Sequence, residues 1–276
     1  MSAVSPNVRL PRLEVTGRVA FHRVLLSEWT KLRSVRSTKW SLVVGFLLTI
    51  AFPVIFAFVT RSHWHSMSPG ERAGRHPLDI ALAGVNVAQL AIAVLGVLLI
   101  SAEYSTGSIR STFTAVPKRL PVLWAKLLDY AIVSLVLMVP AVLASFFASQ
   151  AILHSIHPLQ ISFSQAGVAR SLLGGALYVM LVGIFALAIG AIIRNTAGGI
   201  ATFAGIFFVL PPLMNILPTS WNNAITQYLP SEAGRQLFAL HHAAHTLTPL
   251  GGGLLFAGYC AAAIAVAAVL LVRRDV

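Results

Sequence analysis

The chain has 276 residues, 57% hydrophobic and only 10% charged, with a mean hydropathy of +0.81 and a formal net charge of +12. An ordinary soluble domain carries about 25% charged residues, and it has no use for repeated uncharged runs of about 20 residues, the length that crosses a ~30 Å hydrocarbon layer. The composition therefore excludes a soluble domain. It also turns the positive charge from a sign of nucleic acid into a sign of topology and of contact with anionic membrane lipid.

In chain order, residues 1–16 are polar and proline-containing and read as a disordered cytoplasmic tail. The basic first forty residues lack the short apolar core and small-residue site of a cleavable signal peptide. Residues 17–38 follow a helical period. Phe21, Val24, Leu25, Trp29, Leu32 and Val35 share one arc, and Arg23, Lys31 and Arg33 lie off it. This predicts an amphipathic helix in the membrane interface with Trp29 at headgroup depth. Glu28 falls within the apolar arc, where it either pairs with Lys31 one turn on or touches another cytoplasmic element or subunit.

Residues 39–276 read as one all-α, six-helix membrane domain. The expected spans are Trp40–Thr60, Ile80–Ala102, about Leu123–Gln150, Ser171–Ile193, about Ala197–Leu217 and about Leu250–Val272. The runs lack the alternation of barrel strands, and lipid offers no partner for an open backbone. With the N-terminus inside, 15 of the 20 Lys and Arg residues fall on the inner side, a positive-inside bias that places both termini in the cytoplasm. The single cysteine, Cys260, excludes an internal disulfide.

Between the second and third spans lies a polar island, EYSTGSIRSTFTAVPKR (103–119). Ile109, Phe113 and Val116 recur at helical spacing, Arg110, Ser111 and Thr114 lie on other faces, Gly107 loosens the start and Pro117 ends the helix. The expectation is either a solvated loop or a short helix whose apolar face docks on a cytoplasmic partner. Glu103 and Asp129 sit at span edges, where pairing or solvation is expected, with Lys126 three residues before Asp129. Gly174, Gly175, Gly183 and Gly190 in the fourth span, and Gly198, Gly199 and Gly205 in the fifth, predict close helix packing. Pro211–Pro212 predict a bend or an end of the fifth span. Most histidines fall outside. His241 and His245, at i, i+4 spacing, are candidate metal ligands, although exposed loop residues are the plainer expectation and no Glu follows His241 as in a zinc protease.

SEWTKLRSVRSTKW (27–40) resembles the N-terminal signature of actinobacterial type-2 ABC permeases. EYSTGSIRSTFTAVPKRLPVLWAKLL (103–128) resembles their E-Y-x-x-G-[TS]-[IL]-R segment. IGAIIRNTAGGIA (189–201) and QYLPSEAGRQL (227–237) are similar to the link between their fourth and fifth spans and to the segment after the fifth. The matches run in order over nearly the whole chain. The resemblance implies the transmembrane subunit of an exporter of drugs, antibiotics, lipids or similar amphiphiles in the cytoplasmic membrane. It implies pairing with a second permease, identical or not, and with cytoplasmic ATPase subunits that bind ATP and Mg. By the same resemblance, Glu28, Trp29, Lys31 and Arg33 belong to an interfacial elbow helix. Glu103, Gly107, Ile109, Arg110, Phe113 and Pro117 belong to the ATPase-coupling helix, and residues 218–249 to outer helices.

The chain has no G-x-x-x-x-G-K-[ST], since no lysine follows a glycine, so no ATPase site or cofactor of its own is expected. A membrane-embedded metal sensor or enzyme using the outer histidines is the alternative. No G-x-S-x-G or paired carboxylates support the enzyme.

Overall fold

The computed structural model describes residues 20–240 and 246–274. The expected tail 1–16 and the His241–His245 pair lie outside them. Helix α1 (Phe21–Ser34) buries a stripe at i, i+4, i+8: Val24, Glu28 and Leu32. Phe21, Trp29 and Val35, expected on the same arc, are exposed. At Val35 the backbone turns extended and α2 (Arg36–His63) starts at once, so the first long helix begins three residues before the expected boundary at 39.

The chain then runs through α3 (Pro69–Ala73), α4 (Pro77–Ser105), α5 (Ser108–Ala115), α6 (Leu120–Leu153) and α7 (Val168–Ile193). Among the described residues six segments are long and apolar enough to cross a membrane: α2, α4, α6, α7, Thr196–Met214 and Pro249–Arg273. The protein is an all-α, multi-pass integral membrane protein, and each span overlaps the run that announced it. Within the loop 61–79, which sequence leaves unassigned, Ser68 and Glu71 form a reciprocal capping box that starts α3.

The fifth span is the irregular one. Helix α8 (Thr196–Ala204) passes through a π turn at Gly205–Val209 into α9 (Leu210–Met214). Pro211 and Pro212 lack N–H donors, and their rings crowd the preceding turn. The wider turn absorbs this, with the Leu210 N–H reaching back five residues to the Gly205 carbonyl. The span ends at Met214, short of the expected Leu217. Beyond it, α10 (Thr219–Ile225) and α11 (Pro230–Arg235) lead to α12 (Pro249–Arg273), against which α11 packs.

Helices α4 and α7 form the centre. Helices α2 and α6 pack around α4, and α8 and α12 lean on α7. Small residues set these distances. A Cβ on Gly96 of α4 would overlap the Gly183 carbonyl of α7, and one on Gly183 would overlap the Tyr130 hydroxyl of α6. Gly183 is thus the point where three helices meet. Gly174 and Gly190 are closed off similarly, by Leu237 and Val97. Gly205 has open space around it, so its expected packing role does not hold.

Gly183→Ala is expected to lower the thermal midpoint of the purified protein in detergent, with a loss of about 1–3 kcal/mol from overpacking. Gly258→Ala, in an open position on α12, is expected to be neutral or to stabilise by up to ~1 kcal/mol. Circular dichroism melts check both. Equal midpoints for the two variants would refute the three-helix contact.

Candidate functional site

Helix α1, the last turn of α4, α5 and the first turns of α6 converge at one end of the bundle. Four charges meet there. The Lys31 Nζ donates to Glu28 Oε1 at 2.6 Å and to Glu103 Oε1 at 3.1 Å. The Lys126 Nζ donates to Glu28 Oε2 at 2.5 Å and to Glu103 Oε1 at 2.8 Å. Each lysine bridges both glutamates, so the four side chains close a ring across α1, α4 and α6. Lys31 also donates to the Thr112 hydroxyl of α5 at 3.1 Å, which brings in the fourth helix.

The ring is dry. Glu28 is 4% exposed and Lys126 5%. Removing such charges from water costs several kcal/mol per ion, repaid only when each finds more than one partner in good geometry. Glu28 pairs with Lys31 in its own helix, one of the two alternatives, and also with Lys126 at the base of α6, 98 residues away. Lys126 is the residue that sequence reading undervalues. Its signal was present, since Lys126 and Asp129 are the only charged residues in α6. What sequence cannot show is which carboxylates Lys126 meets. It meets Glu28 and Glu103, and Asp129, its expected neighbour, forms no ion pair among the described residues.

Burial works against the Lys31 charge, but the Glu28 hydrogen bond, followed by the Glu28 and Glu103 charges, outweighs it and holds its pKa above the ordinary 10.5. A raised lysine pKa gives stability that is fully present below the unfolded value and lost as pH rises through the folded one.

Helix α5 is short because both its ends are set by backbone chemistry. Gly107 takes φ +71°, a left-handed conformation that ends α4 and redirects the chain. Pro117 keeps Val116 out of the helical region, at φ −127° and ψ 83°, which stops α5 at Ala115. The expectation of an outward apolar docking face is corrected. Ile109 is 2% exposed and Phe113 9%, and both pack into the chain's own core. An isolated apolar stripe finds its nearest cover inside the same chain, where α4 and α6 already supply an apolar wall. The face left outward is polar, with Ser108, Arg110, Ser111 and Thr114 exposed. A groove of about 310 Å³ runs between α5 and α1, edged by Arg23, Ser27, Ser111 and Ala115. Trp29 and Arg33 point away from the ring and are exposed.

Arg119 stacks on the Phe113 ring at 5.4 Å and donates to the carbonyls of Leu271 and Arg274, which ties α5 to the end of α12. Arg194 donates to the Leu270 carbonyl. Both arginines place their positive charge on carbonyls of the last turn of α12, where the helix dipole favours it. Among the described residues no cluster of His, Cys, Asp and Glu is arranged to hold a metal. No protein-family model matches the chain, and no curated protein is significantly similar to it.

Lys126→Met is expected to destabilise the protein by about 3–5 kcal/mol, since it leaves two buried glutamates short of a cation. Glu28→Gln combined with Lys126→Met is expected to cost less than the two single changes added together. Denaturation of all three in one detergent measures the coupling, and additive losses would remove the ring. The stability difference between the native chain and Lys31→Met is expected to stay flat through neutral pH and shrink only above pH 10.5.

Proposed function

We propose that this chain is the transmembrane permease subunit of an ATP-binding-cassette exporter in the cytoplasmic membrane, with the α1–α5 end facing the cytoplasm. In this reading two permeases pair, and separate ATPase subunits supply ATP hydrolysis. The observation that carries it is the ionic ring. A short helix between the second and third spans is bonded through Lys31 and Thr112 to an interfacial helix, and through Glu103 and Lys126 to the bases of two spans. A push on α5 therefore reaches α1, α4 and α6 together, as a coupling element must. Packed interfaces respond by shifting between discrete arrangements rather than by bending.

The basic segments at this end support the inward orientation, and the ordered sequence resemblance supports the family. Because Ile109 and Phe113 are core residues, the ATPase would be met by the polar face of α5 and the groove beside α1. Export of an amphiphile rests on the resemblance, and both identical and unlike permease partners remain compatible with it.

The test is co-purification with an ATPase encoded beside this chain, followed by its ATP hydrolysis rate in lipid. Arg110→Glu with Thr114→Asp, on the outward face, is expected to abolish binding while leaving insertion and melting unchanged. Ile109→Asp is expected to lose the fold itself. Binding that survives Arg110→Glu with Thr114→Asp would move the docking face elsewhere. A native chain that binds no ATPase would remove the exporter reading.

A further inference from the structure

Beside the ionic ring lies a cavity of about 80 Å³ between α1, the start of α2, α4 and α6. One wall is apolar, built from Leu32, Val35, Leu98 and Leu99. The other carries Thr38, the ring residues and Asp129. Asp129 is 3% exposed. Its Oδ2 is buried and has no hydrogen-bond partner among the described residues, and the same holds for Glu103 Oε2. The charges do not balance: the cavity is lined by the carboxylates of Glu28, Glu103 and Asp129 and by the ammonium groups of Lys31 and Lys126 alone. One carboxylate is in surplus, and an uncompensated buried charge is costly unless a proton or a cation neutralises it.

The chemistry of the walls says which cation would take the place of a proton there. A bare metal ion would want several oxygen ligands, yet no cluster of His, Cys, Asp and Glu among the described residues is arranged to hold one, and half the wall offers no donor atom. The volume also exceeds what one ion fills, since a single water needs roughly 10–15 Å³ by the same measure. A cation that carries hydrocarbon uses both walls. We propose that the cavity binds an organic monocation, a protonated amine on an apolar chain, with its ammonium against the Asp129 carboxylate and its chain along Leu32, Leu98 and Leu99. A free amphiphilic amine and the headgroup amine of a lipid share this chemistry. The site rests on the cavity and its charge balance, and it stands whether or not the chain couples to an ATPase.

The test is isothermal titration of the full chain in phosphatidylcholine nanodiscs with n-hexylammonium chloride, with hexan-1-ol as the neutral counterpart. Saturable binding of the amine, absent for the alcohol, is expected. Asp129→Asn is expected to weaken it roughly ten- to hundred-fold, the cost of losing one charged hydrogen bond. Leu98→Phe, which fills the uncharged wall, is expected to weaken it as well, with melting curves of both variants confirming the fold. Equal heats for amine and alcohol, or unchanged affinity in Asp129→Asn, would overturn the site. So would saturation by sodium ion alone with displacement of the amine. Phosphatidylethanolamine nanodiscs separate the two sources. A reduced apparent affinity for hexylammonium there identifies the lipid amine as the occupant, and an unchanged one identifies a free amine.

Discussion

The cost of holding charge away from water organises one end of this protein. Glu28, Lys31, Glu103 and Lys126 come from three helices, and neither Glu28 nor Lys126, the two buried ones, is tolerable there alone. Each lysine bridges both glutamates, so removing any one charge leaves another buried and under-compensated. That condition fixes where α1 lies against the bases of α4 and α6. Through Thr112 it also fixes where α5 hangs. Apolar contacts alone would let a short amphipathic helix slide along the bundle, because lipid is as apolar as the packing partner.

Elsewhere the bundle is held by shape. Small residues bring α4, α6 and α7 close enough for backbone oxygens and the Tyr130 hydroxyl to fill the space a side chain would take. Some polar groups inside it find partners, as Tyr178 does by donating to Gln89 at 2.5 Å, whereas Asn86 Oδ1 and Gln150 Nε2 have none among the described residues. The fifth span departs from regularity at Gly205–Val209, next to its two prolines and on the less buried side of the bundle. The closely packed centre and the irregular outer helix therefore separate in space, with the ionic ring at one end of the packed part. The proposed coupling role for α5 draws on this layout, since α5 is bonded to α1 and through it to the bases of α4 and α6.

Much of this was legible in the sequence. Apolar runs bounded by charges give the spans, because hydrocarbon thickness imposes a length and lipid imposes a helix. Gly107 and Pro117 delimit α5, because left-handed backbone and the pre-proline restriction are local effects. The unusual position of Glu28 in an apolar stripe was visible too, as was the lone charged pair of α6.

What sequence by itself determined is therefore whatever depends on neighbours along the chain: helical class, span number, helix ends and the oddity of single charges. Tertiary structure alone decided the rest. It turned Ile109 and Phe113 inward, because an apolar stripe is covered by whichever apolar surface comes closest, and helical period does not say which. It gave Lys126 to Glu28, 98 residues away, rather than to Asp129 in its own helix. It left Asp129 facing a cavity without a partner. Ion pairs form across distances of a few ångströms in space, and only the packing of α1 against α4 and α6 sets those distances.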